Sequence, residues 1–194
     1  MKKIKYSSDE MFTKKVEFLE NPEKRGDIPP EQLLNLLPIN KNIKVIDLGA
    51  GTGYLTIPTA KMVEGPVYAL DIDAKMLAVI NEKARKENIT NIQIVRGSIE
   101  NIPLPDHSID LALASLVLHE IEPLAHSLER INQVLKPGGY LVCVEFEKED
   151  EPNHTHPRIA STIMEQEIKN AGLSITQILH PKDSIYMIIA RKNV

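Results

Sequence analysis

The sequence predicts an α/β fold: a doubly wound, seven-stranded sheet, mostly parallel and ending in an antiparallel C-terminal hairpin. Three observations predict it. Short runs rich in Val and Ile alternate with segments of helical period along the 194 residues, a pattern that sets parallel strands between two layers of helices. The last two apolar runs are separated only by His180-Pro181-Lys182-Asp183, and so short a connection joins antiparallel strands. No linker, repeat or low-complexity tract divides the chain, whose length suits one hydrophobic core.

Ser8 to Leu19 and Pro30 to Leu37 read as helices outside the sheet. Residues 1–29 are expected to form an N-terminal helical cap, as a lid, a packing helix or a dimer contact, and residues 30–194 the main domain. Pro22 and Pro29-Pro30 stiffen the connection between them. Strand one covers 43–48, and the helix after it runs from Tyr54 to Val63, ended by Gly65-Pro66. Strand two covers 66–71. Asp73 caps the next helix, where Met76, Leu77, Ile80 and Ala84 share one face. Strands three and four cover 92–96 and 109–114. The helix from Pro123 to Leu135 carries Leu124, Leu128, Ile131 and Leu135 as its apolar stripe, and Pro137-Gly138-Gly139 turns the chain into strand five at 139–146. Glu147 to Pro157, polar and interrupted by proline, reads as a loop. A helix from Arg158 to Ala171 stops at Gly172, and Ser174 to Leu179 with Ser184 to Ala190 form the hairpin.

Composition narrows the function classes. With 42% hydrophobic and 26% charged residues the chain has the balance of a globular protein. A net charge of −4, with local basic clusters only at Lys2, Lys3, Lys5 and Lys14, Lys15, argues against a nucleic-acid partner. The single Cys143 excludes an intramolecular disulfide and lies in an apolar run. The N-terminus has no apolar signal region and no run approaches the ~18 residues of a membrane span, so a cytoplasmic monomer or homodimer is expected.

The most informative stretch is Val45-Ile46-Asp47-Leu48-Gly49-Ala50-Gly51-Thr52-Gly53-Tyr54, with Asp71 at the end of the next apolar run. Alternating glycines between a strand and a helix let a ligand lie against the main chain, beside unpaired helix N–H groups. An acid at the tip of the next strand can accept both hydroxyls of a ribose. A nucleoside-containing cofactor follows. The dinucleotide pattern needs G-x-G-x-x-G, whereas here the glycines fall at G-x-G-x-G and Tyr54 occupies the sixth position. That disfavours a nicotinamide-dependent oxidoreductase.

At these residues the chain resembles the class I S-adenosylmethionine-dependent methyltransferases, from about Pro30 to the C-terminus. Val45 to Tyr54 resembles their glycine motif and Asp71 their ribose-binding acid. Arg96 to Leu104 resembles the stretch bordering adenine, Asp110 to Ser115 the fourth strand, and Leu135 to Leu141 the turn into the fifth. The resemblance implies a Rossmann-like seven-stranded sheet, S-adenosyl-L-methionine as cofactor, and methyl transfer to a small-molecule acceptor by in-line displacement. A protein that binds the cofactor without catalysis is the alternative. Cofactor contacts are then expected from Asp47, Gly49, Gly51, Gly53, Tyr54, Asp71, Ile72, Ser98, Ile99 and Ser115. Many relatives carry Asp where this chain has Ser98, so the contact to the adenine amine rests on a neutral oxygen or on backbone groups of Ile99. Asp47 has two readings: a partner of the sulfonium or methionine amino group, or an organiser of the turn.

The sulfonium is already an activated leaving group, so the protein has to position a nucleophile and, where needed, remove its proton. His119, in the segment Leu116 to Glu120 that resembles one bordering the methyl donor, is the candidate for that proton. Glu145, an acid in an apolar strand, is the second catalytic candidate, with an edge ion pair as its alternative. Phe12, Arg25, His154, His156 and Arg158 are candidate substrate contacts; Arg158 suits an acidic group or simply stabilises its own helix. His154 and His156 are too few for a closed metal site, and no metal is expected.

Overall fold

The computed structural model describes residues 8–21, 23, 26, 28–37, 39–148 and 157–194, with side chains from Glu10 onward. Seven strands form one sheet: β1 (Val45–Leu48), β2 (Val67–Asp71), β3 (Ile92–Arg96), β4 (Ile109–Ser115), β5 (Leu135–Phe146), β6 (Leu173–Lys182) and β7 (Ile185–Lys192). Their order is β3-β2-β1-β4-β5-β7-β6. Strands β1 to β5 are mutually parallel, and β7 runs antiparallel between β5 and β6.

Among the described residues six α-helices flank the sheet and its carboxyl edge: α1 (Ser8–Glu20), α2 (Pro30–Leu34), α3 (Thr56–Met62), α4 (Ala74–Lys86), α5 (Leu124–Val134) and α6 (Ser161–Asn170). Alternate strand residues face opposite layers, and the burial follows that period. Ile46, Leu48, Ala112, Ala114, Leu141 and Cys143 pack with Leu128, Ile131, Met164 and Ile168 of α5 and α6. Val45, Leu111, Leu113, Val142 and Val144 pack on the other face with Leu33 and Leu34 of α2 and Ala60 of α3. A smaller cluster joins Ile57, Ala69, Leu77 and Ile80 under α3 and α4. The chain leaves β1 on one face and β4 on the other, so the crevice between their carboxyl ends is the switch point where ligands settle in open α/β sheets.

The capped helix α4 has the expected apolar face, with Met76, Leu77, Ile80 and Ala84 buried and the Asp73 carboxylate accepting Lys75 N–H at 2.9 Å. Several boundaries differ. Helix α2 ends at Leu34 rather than Leu37, and α6 begins at Ser161 rather than Arg158. Tyr54 and Leu55 remain in the turn, and α3 begins at Thr56. Pro137-Gly138-Gly139 is a bulge inside β5: Leu135 pairs with Ile109 and Tyr140 with Leu111, so the extra residues are looped out while pairing continues on both sides. The hairpin turn is Asp183-Ser184, because β6 keeps pairing with β7 as far as Lys182. Among the described residues no helix is long and apolar enough to cross a membrane.

Candidate active site

The glycine turn runs from the end of β1 over the carboxyl edge of the sheet. Gly49 and Gly51 both take left-handed backbone, with φ of 65° and 53°, which costs a side-chain-bearing residue ~1–2 kcal/mol. A Cβ on Gly49 would also collide with the Val117 side chain, so glycine here lets the β4 loop close over the turn. A Cβ on Gly51 would meet Leu19 Cδ1 at 3.7 Å and the Gly49 carbonyl at 3.9 Å, ordinary van der Waals contact beneath α1. The first position serves packing against the β4 loop; at the second the left-handed backbone is what favours glycine.

Asp71 ties the turn to β2. Its Oδ2 accepts Gly51 N–H at 2.8 Å and its Oδ1 accepts Asp73 N–H at 2.8 Å, while Ala50 N–H donates to Leu70 O at 2.9 Å. Each carboxylate oxygen keeps lone-pair capacity beyond these bonds. Ile72 beside it is 69% exposed, an apolar side chain on the rim. Ser98 precedes a short 3₁₀ turn without capping it, and the Ile99 side chain is committed to the core, which leaves its backbone as what it can offer a ligand.

Asp47 is buried on the floor of the crevice, where its Oδ2 accepts the Thr56 hydroxyl at 2.5 Å. This bond anchors the start of α3 to β1 and fits the turn-organising reading, while the carboxylate also lines the cleft. The cleft wall comprises Asp47, Gly49, Ala50, Gly51, Ser115 and Leu116 on the sheet side, with Leu19 of α1 facing them, around about 50 Å³. Tyr54 lines it too, but its hydroxyl donates to the Ile28 carbonyl, so the ring also tethers the segment before α2.

Helix α1 lies over this turn. Lys15 pairs with Asp73 at 3.2 Å, Glu20 pairs with Lys83, and Lys83 Nζ also donates to Thr52 O at 2.9 Å. The Phe12 ring receives Lys75 Nζ at 5.3 Å from its centroid, which sets Phe12 against the first turn of α4, near the Asp71 end of the cleft. Phe12, Val16 and Leu19 are the half-buried apolar positions of α1, while Met11 and Phe18 point outward.

A second polar cluster stands at the ends of β4 and β5. Leu116 takes φ of 54° and donates its N–H to Val144 O at 2.8 Å, turning the chain so that 117–119 fold over Glu145. The Glu145 side chain is buried; its Oε1 accepts Val117 N–H at 3.0 Å and Leu118 N–H at 2.8 Å, and its Oε2 lies 2.6 Å from His119 Nδ1. A carboxylate only accepts, so Nδ1 carries the proton. Burial alone would lower the His119 pKa, but the hydrogen bond and charge of Glu145, helped by Glu120 and opposed by Arg158, leave it raised. Arg158 stacks over Phe146 at 5.0 Å and donates to Glu147 O at 3.0 Å. Its guanidinium is thus held at the carboxyl end of β5.

The structure therefore brings Asp47, Gly49, Gly51, Tyr54 and Ser115 around one crevice, with Asp71 bonded to the Gly51 N–H; Gly53 lines the neighbouring groove, Ile72 is exposed beside Asp71, and His119, Glu145 and Arg158 cluster at the ends of β4 and β5. Arg25, His154 and His156 lie outside the described residues. Among the described residues no group of three or more His, Cys, Asp or Glu side chains is arranged to hold a metal ion. Sequence reasoning missed Thr56, Val117, Leu19 and Lys83. Only Leu19 carried a usable signal, the Phe12, Val16, Leu19 spacing of a helix face.

Comparison with known proteins follows the same lines. The methyltransferase domain family matches residues 46–143, half of the chain, from β1 into β5. The chain belongs to the class I S-adenosylmethionine-dependent methyltransferases. The dinucleotide-oxidoreductase reading is set aside by that match. The ubiquinone/menaquinone biosynthesis C-methyltransferase UbiE of Pectobacterium carotovorum subsp. carotovorum is 39% identical over 113 residues, covering 57% of this chain and 45% of that protein. A demethylmenaquinone methyltransferase from Geobacillus sp. is 32% identical over 117 residues, 59% of this chain and 50% of its own length. The chain thus spans about half the length of these curated relatives. A methyltransferase of Aquifex aeolicus, described as SAM-dependent, shares the fold with a TM-score of 0.83 at 24% identity, covering 96% of this chain and 99% of that one.

Proposed function

We propose that this methyltransferase moves a methyl group from S-adenosylmethionine to a small-molecule acceptor, held beside His119 and Glu145 at the β4–β5 side of the cleft. The observation that carries the reading is the Gly51–Asp71 pair. A left-handed glycine turn beneath α1 is fixed by a carboxylate with acceptor capacity to spare, at the sheet's switch point. Bound there, S-adenosylmethionine supplies an electrophilic methyl on a leaving group activated by its positive charge.

The chain's own residues do the rest. Asp71 accepts ribose hydroxyls, Ile72 and the Ser98–Ile99 backbone border the base, and Asp47 presents negative charge to the methionine end. Gly49 and Gly51 admit the cofactor against the backbone. Apolar walls from Ile72, Leu116 and Leu19 limit water around the reacting atoms. The names of the relatives, which concern menaquinone and ubiquinone biosynthesis, favour a small ring compound over a macromolecule as acceptor.

Helix α1 acts as a cover in this reading. A cleft of about 50 Å³ is far below the ~300–1,000 Å³ of ordinary ligand pockets. Leu19, Thr52 and Tyr54 separate it from a groove of about 270 Å³ on the other side of the turn. Withdrawal of α1 removes Leu19, the part of that partition which α1 supplies, and enlarges the cleft for a nucleoside. The test is transfer of labelled methyl from S-adenosylmethionine in the presence of small phenols, hydroxyquinones and amines, or of bulk tRNA and protein. Label in the small-molecule fraction is expected, and label in tRNA or protein alone would overturn the acceptor class.

A further inference from the structure

We infer that Glu145 holds His119 as a proton acceptor with Nε2 as the reactive nitrogen, so that the acceptor carries a dissociable hydroxyl: a phenol, an enol or a hydroxyquinone. The inference rests on the methyl-transfer reading above and adds to it a proton pathway and a substrate class.

The geometry has three parts. Glu145 is buried, and its two oxygens take Val117 N–H, Leu118 N–H and His119 Nδ1. One side chain of β5 thereby fixes both the backbone that carries His119 and the ring itself. With Nδ1–H committed to Oε2, the neutral ring exposes its lone pair at Nε2, with Glu120 Oε1 3.9 Å away. The ring is not sealed in: its side chain keeps 11% exposure, against 2% for Glu145. Finally, Ser115 and Leu116, which start this turn, line the cofactor cleft, and Val117 rests on Gly49. His119 stands in the turn that continues directly from this cleft wall.

A nucleophile with no proton to lose, such as a pyridine nitrogen, needs only positioning. A hydroxyl needs more. Nε2 takes the hydroxyl proton as electron density from that oxygen, or from a ring carbon conjugated with it, forms the bond to the methyl carbon. The carbon–sulfur pair returns to sulfur, leaving a neutral thioether, and the imidazolium passes its proton to water. For a carbon acceptor, the ring hydrogen leaves to solvent in a later step. The charged groups facing the ring are Glu145 from β5, Glu120 from its own turn and Arg158 from the segment before α6. Two carboxylates against one guanidinium favour the imidazolium that the step produces.

The same arrangement makes Glu145→Gln a sharp probe. Gln can still accept Val117 and Leu118 N–H through its carbonyl oxygen, but its NH₂ then faces His119 and favours an unprotonated Nδ1. The proton moves to Nε2, and the base is lost while the fold is kept. The experiment is ¹⁵N NMR of protein labelled at the histidine ring nitrogens, with His119 assigned from H119N, alongside calorimetry with S-adenosylhomocysteine. Neutral wild-type ring protonated at Nδ1, and Nε2–H with a lower titration midpoint in E145Q, are expected. Cofactor-product affinity should stay within about threefold, and methyl transfer to any phenol or hydroxyquinone that accepts label should fall about 10²-fold or more in kcat. A wild-type ring protonated at Nε2 would overturn the inference even if E145Q did not fold and no compound in the panel accepted methyl. So would transfer to nicotinamide but to no hydroxyl compound. Failure of the wild type to bind S-adenosylhomocysteine would instead remove the underlying methyltransferase reading.

Discussion

Replacing Asp71 with Asn separates structural from ligand-binding roles of one carboxylate. In the folded chain Asp71 accepts two backbone N–H groups at 2.8 Å, one on each oxygen. Asn has one acceptor oxygen, so either Gly51 or Asp73 loses its partner and faces an NH₂ group. A buried donor left unpaired costs ~1–3 kcal/mol; Asp71 is half-buried, so about 1 kcal/mol of stability is expected. Binding loses more. The variant replaces a charged acceptor for the ribose hydroxyls by a neutral one, and hydrogen bonds to charged groups contribute ~1.5–3 kcal/mol each, which at ~1.4 kcal/mol per decade is about 10- to 100-fold in Kd. The assay is calorimetric titration with S-adenosylhomocysteine together with thermal unfolding. Asp110→Asn is the control: that carboxylate holds Lys44 N–H at 2.9 Å and Lys136 Nζ at 2.8 Å at the opposite end of the sheet, so it should lower stability and leave binding alone. An Asp71→Asn protein that binds within about threefold of wild type would refute the assignment of this acid to the cofactor.

Other expectations follow from the same geometry. Gly51→Val places a β-branched side chain at a left-handed position against Leu19 of α1. It should cost ~1–2 kcal/mol of stability and abolish S-adenosylhomocysteine binding by calorimetry; retained binding would exclude this turn as the site. If α1 covers the cleft, Leu19→Ala and added salt, which weakens the Lys15–Asp73 and Glu20–Lys83 pairs, should both speed association in stopped-flow binding. Each exposed pair contributes only ~0.2–1 kcal/mol, so changes of severalfold are expected, and insensitivity to both would place the cover elsewhere. Because the folded His119 pKa is raised, its contribution to stability is fully present below its unfolded value near 6.5 and is lost as pH rises through the folded one. The stability difference between wild type and His119→Asn should therefore shrink from pH 6 to pH 8 (about neutral, spanning the ordinary His range); a difference that grows would contradict the Glu145 bond. Asn91 donates from one amide to the carbonyls of Ala60, Val63 and Gly65 at 2.9–3.1 Å, so Asn91→Ala should destabilise by ~1–3 kcal/mol in denaturant unfolding without changing cofactor affinity.

What the sequence made legible was what local pattern controls. Strand runs, the Asp73 cap and the α4 face at Met76, Leu77, Ile80 and Ala84 depend on neighbours within a few residues, and the glycine turn is a contiguous motif. Pairing across distance was less visible. The bulge at Pro137-Gly138-Gly139 looks in sequence like a strand's beginning, because nothing local says that Leu135 already pairs with Ile109. His119 and Glu145 stood out separately as polar residues in apolar surroundings, but their bond spans 26 residues and requires the left-handed Leu116 to fold one onto the other. The helix from Ser8 to Leu19 was legible, but its Phe12, Val16 and Leu19 face passed unread, and nothing local says what that face meets. Tyr54, chosen as the residue that discriminates between cofactors, also spends its hydroxyl on the Ile28 carbonyl, a contact set by how the N-terminal segment docks.

The central claim is that the Gly49–Gly53 turn and Asp71 form a cradle for S-adenosylmethionine. Calorimetric titration of the purified protein with S-adenosylhomocysteine and, separately, with NAD tests it most directly. One-site binding of S-adenosylhomocysteine that Asp71→Asn weakens, with no comparable binding of NAD, is the expected result. Tight binding of NAD alone would contradict it.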